Sequence, residues 1–186
     1  MKKIVLLLAV ATAISAAAYS QDKYFTKTGK IFFKCTKSPL EDIEATNKSA
    51  TCVLDTKSGV MQFAVMMKGF EFERALMQEH FNENYVESHK FPKADFKGQI
   101  VNAGDIDFSK DGTYTAKVKG ELQIRGVKKN VETTGTVVVK GGKVVTNAAF
   151  IILLSDYNIS IPSVVSDKIS NTVSITVDCS LEPLKS

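Results

Sequence analysis

The chain lacks the short signatures that usually mark catalysis. It has no Gly-rich phosphate loop, no G-x-S-x-G elbow, no C-x-x-C and no H-E-x-x-H. These absences remove the familiar ways of cradling a phosphate, presenting a serine nucleophile or holding zinc on one helix face. Only two histidines occur, His80 and His89, nine residues apart, so one helical face does not offer both to a metal. Glu79, Glu83 and Glu87 recur every four residues along one helix edge and read as a solvated face. Acid–base chemistry needs two carboxylates in contrasting environments, and no such contrast is visible. The cysteines, Cys35, Cys52 and Cys179, have no nearby base or electropositive setting to activate them. No catalytic residue, metal ligand or cofactor is assigned, and the chain is expected not to be an enzyme. Basic residues are also not gathered among aromatics, which a phosphate-binding face requires, so nucleic acid is a poor partner.

Long apolar runs are scarce too. "IVLLLAVATAI" follows the charged start "MKK" and precedes the small residues of "SAAAYSQ". That order is the pattern of a secretory signal peptide, here residues 1–20, leaving residues 21–186 as one domain. The run falls short of the ~20 apolar residues of a membrane span, and no later segment is apolar enough to be one. No cysteine directly follows it, which argues against a lipoprotein anchor. The expected location is the periplasm or the exterior. Loss of Lys2 and Lys3 leaves 22 basic against 20 acidic residues, close to balance. Three cysteines in an exported chain allow at most one intramolecular disulfide, with no pair singled out by the sequence. All three lie in strand-like runs, where a cysteine also serves as a small buried apolar residue.

Beyond the leader the dominant period is two. "KYFTKTGKIFFKCT", "IEATNKSATCVLDT", "VMQFAVMMKGF", "KADFKGQIVN", "TYTAKVKGELQI", "VKKNVETTGTVVVK", "KVVTNAAFIILL" and "TVSITVDCSLEP" read as eight strands. In the fourth, Ala94, Phe96 and Gly98 point one way and Asp95, Lys97 and Gln99 the other. In the fifth, Tyr114, Ala116, Val118 and Gly120 oppose Thr115, Lys117 and Lys119. "SPLED" and "KSG" supply turns. Gly141-Gly142 suits a tight hairpin, because both residues take positive φ, and Asp111-Gly112 is a second signal of that kind. Eight short-turned strands make an all-β antiparallel barrel or sandwich.

One segment departs from this period. From Glu71 to about Ser88 there is no Gly or Pro, and the residues are good helix formers. At 3.6 residues per turn Phe72, Leu76, Met77, His80 and Phe81 share one half of the wheel, with Arg74, Gln78 and Asn82 on the other. One helix is therefore expected between strands three and four. A closed eight-stranded barrel is wide enough to be filled by side chains or to hold one small ligand, and a helix across its mouth would cover it. His80 would then be either a satisfied interior histidine or a polar anchor for a ligand head. "VMQFAVMM" and "AAFIILL" are apolar on both faces, so part of the outer wall is expected to be covered by the helix or a partner, or both faces to meet apolar contents.

The stretch "MQEHFNENYVESHKFPKADFKGQI" resembles the signature of the YceI-like family of secreted bacterial lipid-binding domains. There a helix ends near a histidine, an aromatic and acidic segment follows, and an aromatic-Pro pair opens a strand with an inward Phe. His80, Phe81, the segment to Ser88, Phe91-Pro92 and Phe96 take those places. A strand end of the form G-x-L-x-I-x-G stands as Gly120, Leu122, Ile124 and Gly126. The resemblance spans essentially the whole mature chain. It implies an eight-stranded lipocalin-like antiparallel barrel that binds a polyisoprenoid such as an isoprenoid quinone or prenyl phosphate.

The likeness is incomplete at the first strand. Commoner members carry an Asp-Pro-x-His-Ser segment where this chain reads "YFTKTGKIFF". An apolar cargo is favoured whatever its head group, since each buried CH₂ contributes ~0.8 kcal/mol. The expected ligand-contacting residues are Phe72, Leu76, Met77, His80, Phe81, Phe91 and Phe96. Two functions stand: a periplasmic or secreted non-catalytic binding protein for an isoprenoid or similar lipid, and a cargo-free barrel acting in envelope stress or protein interaction. A homodimer is left open.

Overall fold

The computed structural model describes residues 22–35, 37 and 43–184. The expected leader and the "SPLED" turn lie outside the described residues. Eight strands are β1 (Lys23–Cys35), β2 (Ile43–Asp55), β3 (Val60–Met66), β4 (Lys93–Ile100), β5 (Gly112–Ile124), β6 (Val127–Lys140), β7 (Lys143–Leu153) and β8 (Thr172–Pro183). Each pairs antiparallel with its sequence neighbour, and β1 pairs with β8, so the sheet closes into a barrel. Closure leaves no free edge along the first and last strands.

Alternation places the side chains. In β5, Ala116, Leu122 and Ile124 are buried while Thr115, Lys117 and Lys119 are exposed. β4 repeats this, with Ala94 and Phe96 lining the interior. The interior has two parts. Leu54, Cys52, Val137, Val144, Cys179 and Leu181 pack solid at one end. Phe33, Phe70, Phe81, Leu122, Ile152 and Tyr157 belong to the other. Near the solid end β1 carries register shifts on both sides of Gly29, and a Cβ there would sit 2.7 Å from Cys179 Sγ. All three cysteines are buried free thiols.

The Gly141-Gly142 hairpin forms as expected, with φ 57° and 76°, joining Lys140 to Lys143 as a register pair. Asp111-Gly112 does not make a second one. Gly112 opens β5, and the Asp111 carboxylate accepts a hydrogen bond from the Gly141 N–H at 3.0 Å, supporting the neighbouring hairpin. A further tight turn is Arg125-Gly126, at φ 50° and 75°, between Ile124 and Val127.

The helix is shorter than 71–88. Glu71 bridges Thr46 through two backbone hydrogen bonds of 2.9 and 3.1 Å, and Arg74 is still extended. The helix α1 runs Ala75–His80 and continues as a π turn over Phe81–Tyr85, where the Val86 N–H donates to the Phe81 carbonyl at 2.9 Å. Glu87, at φ 48°, ends it. Good helix formers alone did not extend it, because the sheet captures its start and a left-handed residue its end. Nor does it cover the outer wall. Met66 and Ile151 point outward and are 53% and 65% exposed. Among the described residues no helix is long and apolar enough to cross a membrane.

Candidate ligand cavity

A cavity of about 370 Å³ lies between the solid end of the barrel and the α1 segment. Its floor and walls come from alternating inward residues, among them Met61, Phe63 and Val65 of β3, Ala116, Val118 and Leu122 of β5, and Phe150 and Ile152 of β7. The strand period therefore makes the cavity apolar, since one face of every strand must turn inward. Met77, His80, Phe81, Tyr85 and Val86 close it from the helical side, and Val165, Lys168 and Ile169 from the loop before β8.

Four rings meet beneath the helix. Phe81 lies 5.6 Å from Phe33, 5.6 Å from Phe70 and 5.1 Å from Phe72, centroid to centroid. Phe33 in turn lies 5.3 Å from Phe70. These tilted, edge and offset contacts are the favoured aromatic geometries. Deeper in, Phe63 and Phe96 meet edge to face at 6.2 Å.

Of the residues expected to touch a ligand, Phe72, Met77, His80, Phe81 and Phe96 all line this cavity. Two are placed elsewhere. Leu76 is 61% exposed on the far side of the short helix. Phe91 packs against the Arg125-Gly126 turn, where a Cβ on Gly126 would meet its ring at 3.0 Å. His80 is exposed at the rim rather than a satisfied interior histidine, and His89 is exposed outside the lining. Phe33, Phe63 and Phe70 were not anticipated. Phe33 shares a strand face with Ile31 and Cys35, and Phe63 with Met61 and Val65, but both segments carry apolar residues on either face, and nothing local tells an inward ring of a filled core from one beside a cavity.

The polar groups at the lining are few. Burial, and to a lesser extent the Cys35 thiol, push the Tyr85 phenol up, so it stays neutral. The Cys35 Sγ–H donates to the Ser170 carbonyl at 3.1 Å and is spent there. Asp95 is paired with Lys93 at 3.1 Å. Among the described residues no three His, Cys, Asp or Glu side chains gather as a metal site. The arrangement suits an apolar chain held by contact area. Its volume falls within the ~300–1,000 Å³ of small-molecule sites.

The family model of the YceI-like domain matches residues 23–181. No curated protein sequence matches the chain. Among solved structures, a polyisoprenoid binding domain from Saccharophagus degradans, implicated in plant cell wall breakdown, superposes with a TM-score of 0.76 at 14% identity, covering 88% of this chain and 99% of its own. BcnA of Burkholderia cenocepacia superposes with a TM-score of 0.66 at 17% identity, covering 82% of this chain and 95% of its own. At such identities the likeness establishes the shared barrel fold.

Proposed function

The chain belongs to the YceI-like family, and from that premise we propose that it is a non-catalytic binding protein for an isoprenoid or similar apolar lipid, exported to the periplasm or exterior. The observation that carries this is the cavity of about 370 Å³ walled by inward Phe, Ile, Val, Leu and Met side chains. An isoprenoid tail buried there gains ~25 cal/mol per Å² of apolar surface removed from water, without any charged contact. The similar domain from Saccharophagus degradans, named for polyisoprenoid binding, supports the same class of ligand. The "MKK", "IVLLLAVATAI" and "SAAAYSQ" order supports export.

Organic extraction of protein purified from its native envelope or medium, followed by lipid mass spectrometry, tests the reading. A long-chain apolar lipid recovered near one per protein is the expected result. Protein that carries no lipid and takes up no apolar fluorescent probe overturns it in favour of a cargo-free barrel. His80→Ala adds a second arm. His80 sits exposed at the cavity rim, so its loss leaves the fold intact and lowers lipid recovery if it holds a polar head. For export, N-terminal sequencing is expected to begin between Tyr19 and Asp22. An intact Met1-Lys2-Lys3 on the soluble protein overturns that part.

A further inference from the structure

The barrel wall is split along one seam. The β6–β7 ladder runs from the Lys140–Lys143 pair at the hairpin only as far as Gly135 opposite Ala148. Both strands continue well past that point, β6 back to Val127 and β7 on to Leu153. On their other sides they stay fully paired, β6 to β5 through Val127 and β7 to β8 through Leu153. So the strands have not frayed; they part from each other. Gly135 marks the fork, where a Cβ would run into the Asn147 carbonyl oxygen.

Above the fork one side-chain bond crosses the gap, from Thr133 Oγ1 to the Ala149 carbonyl at 2.8 Å. The seam closes again toward the rim, where Lys129 lies 3.9 Å from Asp156 and Arg125 donates to the Asn158 carbonyl. The result is a window in the wall rather than an open end. Val131, Thr133 and Phe150 line both the inner cavity and the groove on the outer surface, so the two spaces share one wall at this point. Ile151, 65% exposed, forms the outer lip.

The β2–β3 ladder is shorter still, yet closed. β2 and β3 share four pairs, Thr51–Ala64 to Leu54–Met61. Their gap is filled, because Thr46 and Glu71 exchange two backbone bonds and the Asn47 amide donates to the Met66 carbonyl at 2.9 Å. An unpaired stretch of two strands otherwise carries a cost, since backbone groups facing a gap must find water. The β6–β7 seam keeps that cost and leaves the gap to a threonine.

We propose that the β6–β7 window is a lateral portal through which an extended apolar chain enters the cavity, the covering helix staying in place. The inference rests on the apolar-ligand reading. A chain passing there meets Val131 and Phe150 inside and Ile151 outside, and displaces the Thr133–Ala149 hydrogen bond.

Stapling the seam tests it. Glu132→Cys and Ile151→Cys put thiols on opposite lips of the outer groove, while the three native cysteines are buried from reagent. The unstapled double variant controls for folding. A bismaleimide staple across these positions is compared with the same staple between Glu87→Cys and Arg125→Cys, whose native side chains meet end to end, and which ties the segment after the helix to the β5–β6 turn. The probe is a dansyl-labelled long-chain alcohol delivered from phosphatidylcholine vesicles. Stapling the seam is expected to slow uptake about tenfold or more, with the amount bound at equilibrium unchanged, as for a closed passage to an intact site. The Glu87–Arg125 staple is expected to leave the rate unaltered. Uptake unchanged by the seam staple, or slowed only by the other, overturns the portal while the binding function stands. A wild type that never binds the probe removes the apolar-ligand reading and the portal with it.

Discussion

Arg125 donates one guanidinium nitrogen to the Glu87 carboxylate and another to the Asn158 carbonyl. Among the described residues these three are also the non-glycine positions with positive φ, at 50°, 48° and 56°. They end three different elements: the β5–β6 turn, the segment after the helix, and the Leu154–Tyr157 turn after β7. Left-handed backbone costs roughly 1–2 kcal/mol at a residue with a Cβ. Here that strain is collected around one cation, which clasps the cover of the cavity to the barrel rim.

Arg125→Gly separates strain from clasp. Glycine accepts φ 50° freely, so relief of strain offsets part of the lost ion pair. The expected outcome is a small change in Tm with faster hydrogen exchange at residues 75–91, as the cover loses its tie. Unchanged exchange there would show that the ring cluster alone holds the helix.

The clasp also carries a pH signature. Hydrogen bonds from Lys90 first and Arg125 second hold the Glu87 carboxyl below the usual carboxylate range. A depressed carboxyl stabilises the fold above its unfolded pKa, ~4.3 for glutamate, and that stabilisation fades as pH falls through the folded value. Glu87→Gln lacks the charge at every pH. Thermal melts of the two proteins are expected to differ near neutrality and to converge in acid, and a constant gap would argue against the ion pair.

Tyr157 titrates in the opposite direction. Its hydroxyl is buried with no hydrogen-bond partner, and burial, then the Asp156 charge, push the phenol up to about 12. A raised folded pKa leaves this group's contribution intact below the ordinary tyrosine value of ~10 and removes it as pH climbs through the folded one. Tyr157→Phe deletes an unsatisfied buried hydroxyl, whose desolvation costs about 1–3 kcal/mol. The variant is expected to be at least as stable as the parent at neutral pH, and to lose less stability in alkaline melts.

Leu76 and Met77 show where sequence reasoning stops. Both fall on the apolar half of an ideal wheel, yet Leu76 is 61% exposed and Met77 lines the cavity. A helix of six residues docks through a narrow stripe, and the π turn that follows changes the phase on which the wheel was drawn. Leu76→Asp is accordingly expected to shift stability within about 0.5 kcal/mol, whereas Met77→Asp costs about 0.5–3 kcal/mol by setting a charge against apolar rings. Denaturant melts of the pair decide this, and equal losses would return Leu76 to the buried face.

Strand number and the two faces of these strands were legible because period two is local to each strand: Ala94 shares a face with Phe96, and Ala116 with Val118, and those faces line the cavity. Facing decisions that depend on the far wall were not legible. The doubly apolar "VMQFAVMM" and "AAFIILL" suggested cover by the helix or a partner, or apolar contents on both faces, and the helix leaves Met66 and Ile151 exposed. Arg125-Gly126 escaped notice because arginine seldom takes φ near 50°, and its partners, Glu87 and Asn158, are 38 and 33 residues away. The split between β6 and β7 leaves no mark in composition, since Asn130–Thr134 alternates like any strand.

Gly98 and Gly120 face each other across β4 and β5, and the Phe96 ring lies over both, since a Cβ at either would meet its Cζ at 2.5 Å. The two missing side chains let this ring lie along the wall, edge to Phe63, instead of filling the cavity. Gly120→Ala inserts a methyl that also meets the Gly98 Cα and the Lys97 carbonyl oxygen at 2.6 Å. Ring and backbone must both give, and overpacking of this kind costs about 1–3 kcal/mol. The ring can retreat only inward, so a smaller cavity follows. Phe96→Ala removes the ring's share of the clash but leaves the backbone contacts. Denaturant melts of both single variants and the double variant form a cycle, in which contacting residues couple by about 0.5–3 kcal/mol. The double variant is expected to be more stable than the sum of the single losses, yet less stable than Phe96→Ala alone. Strict additivity would mean that the Phe96 ring does not rest on the glycine pair, and that the width of the cavity is set elsewhere.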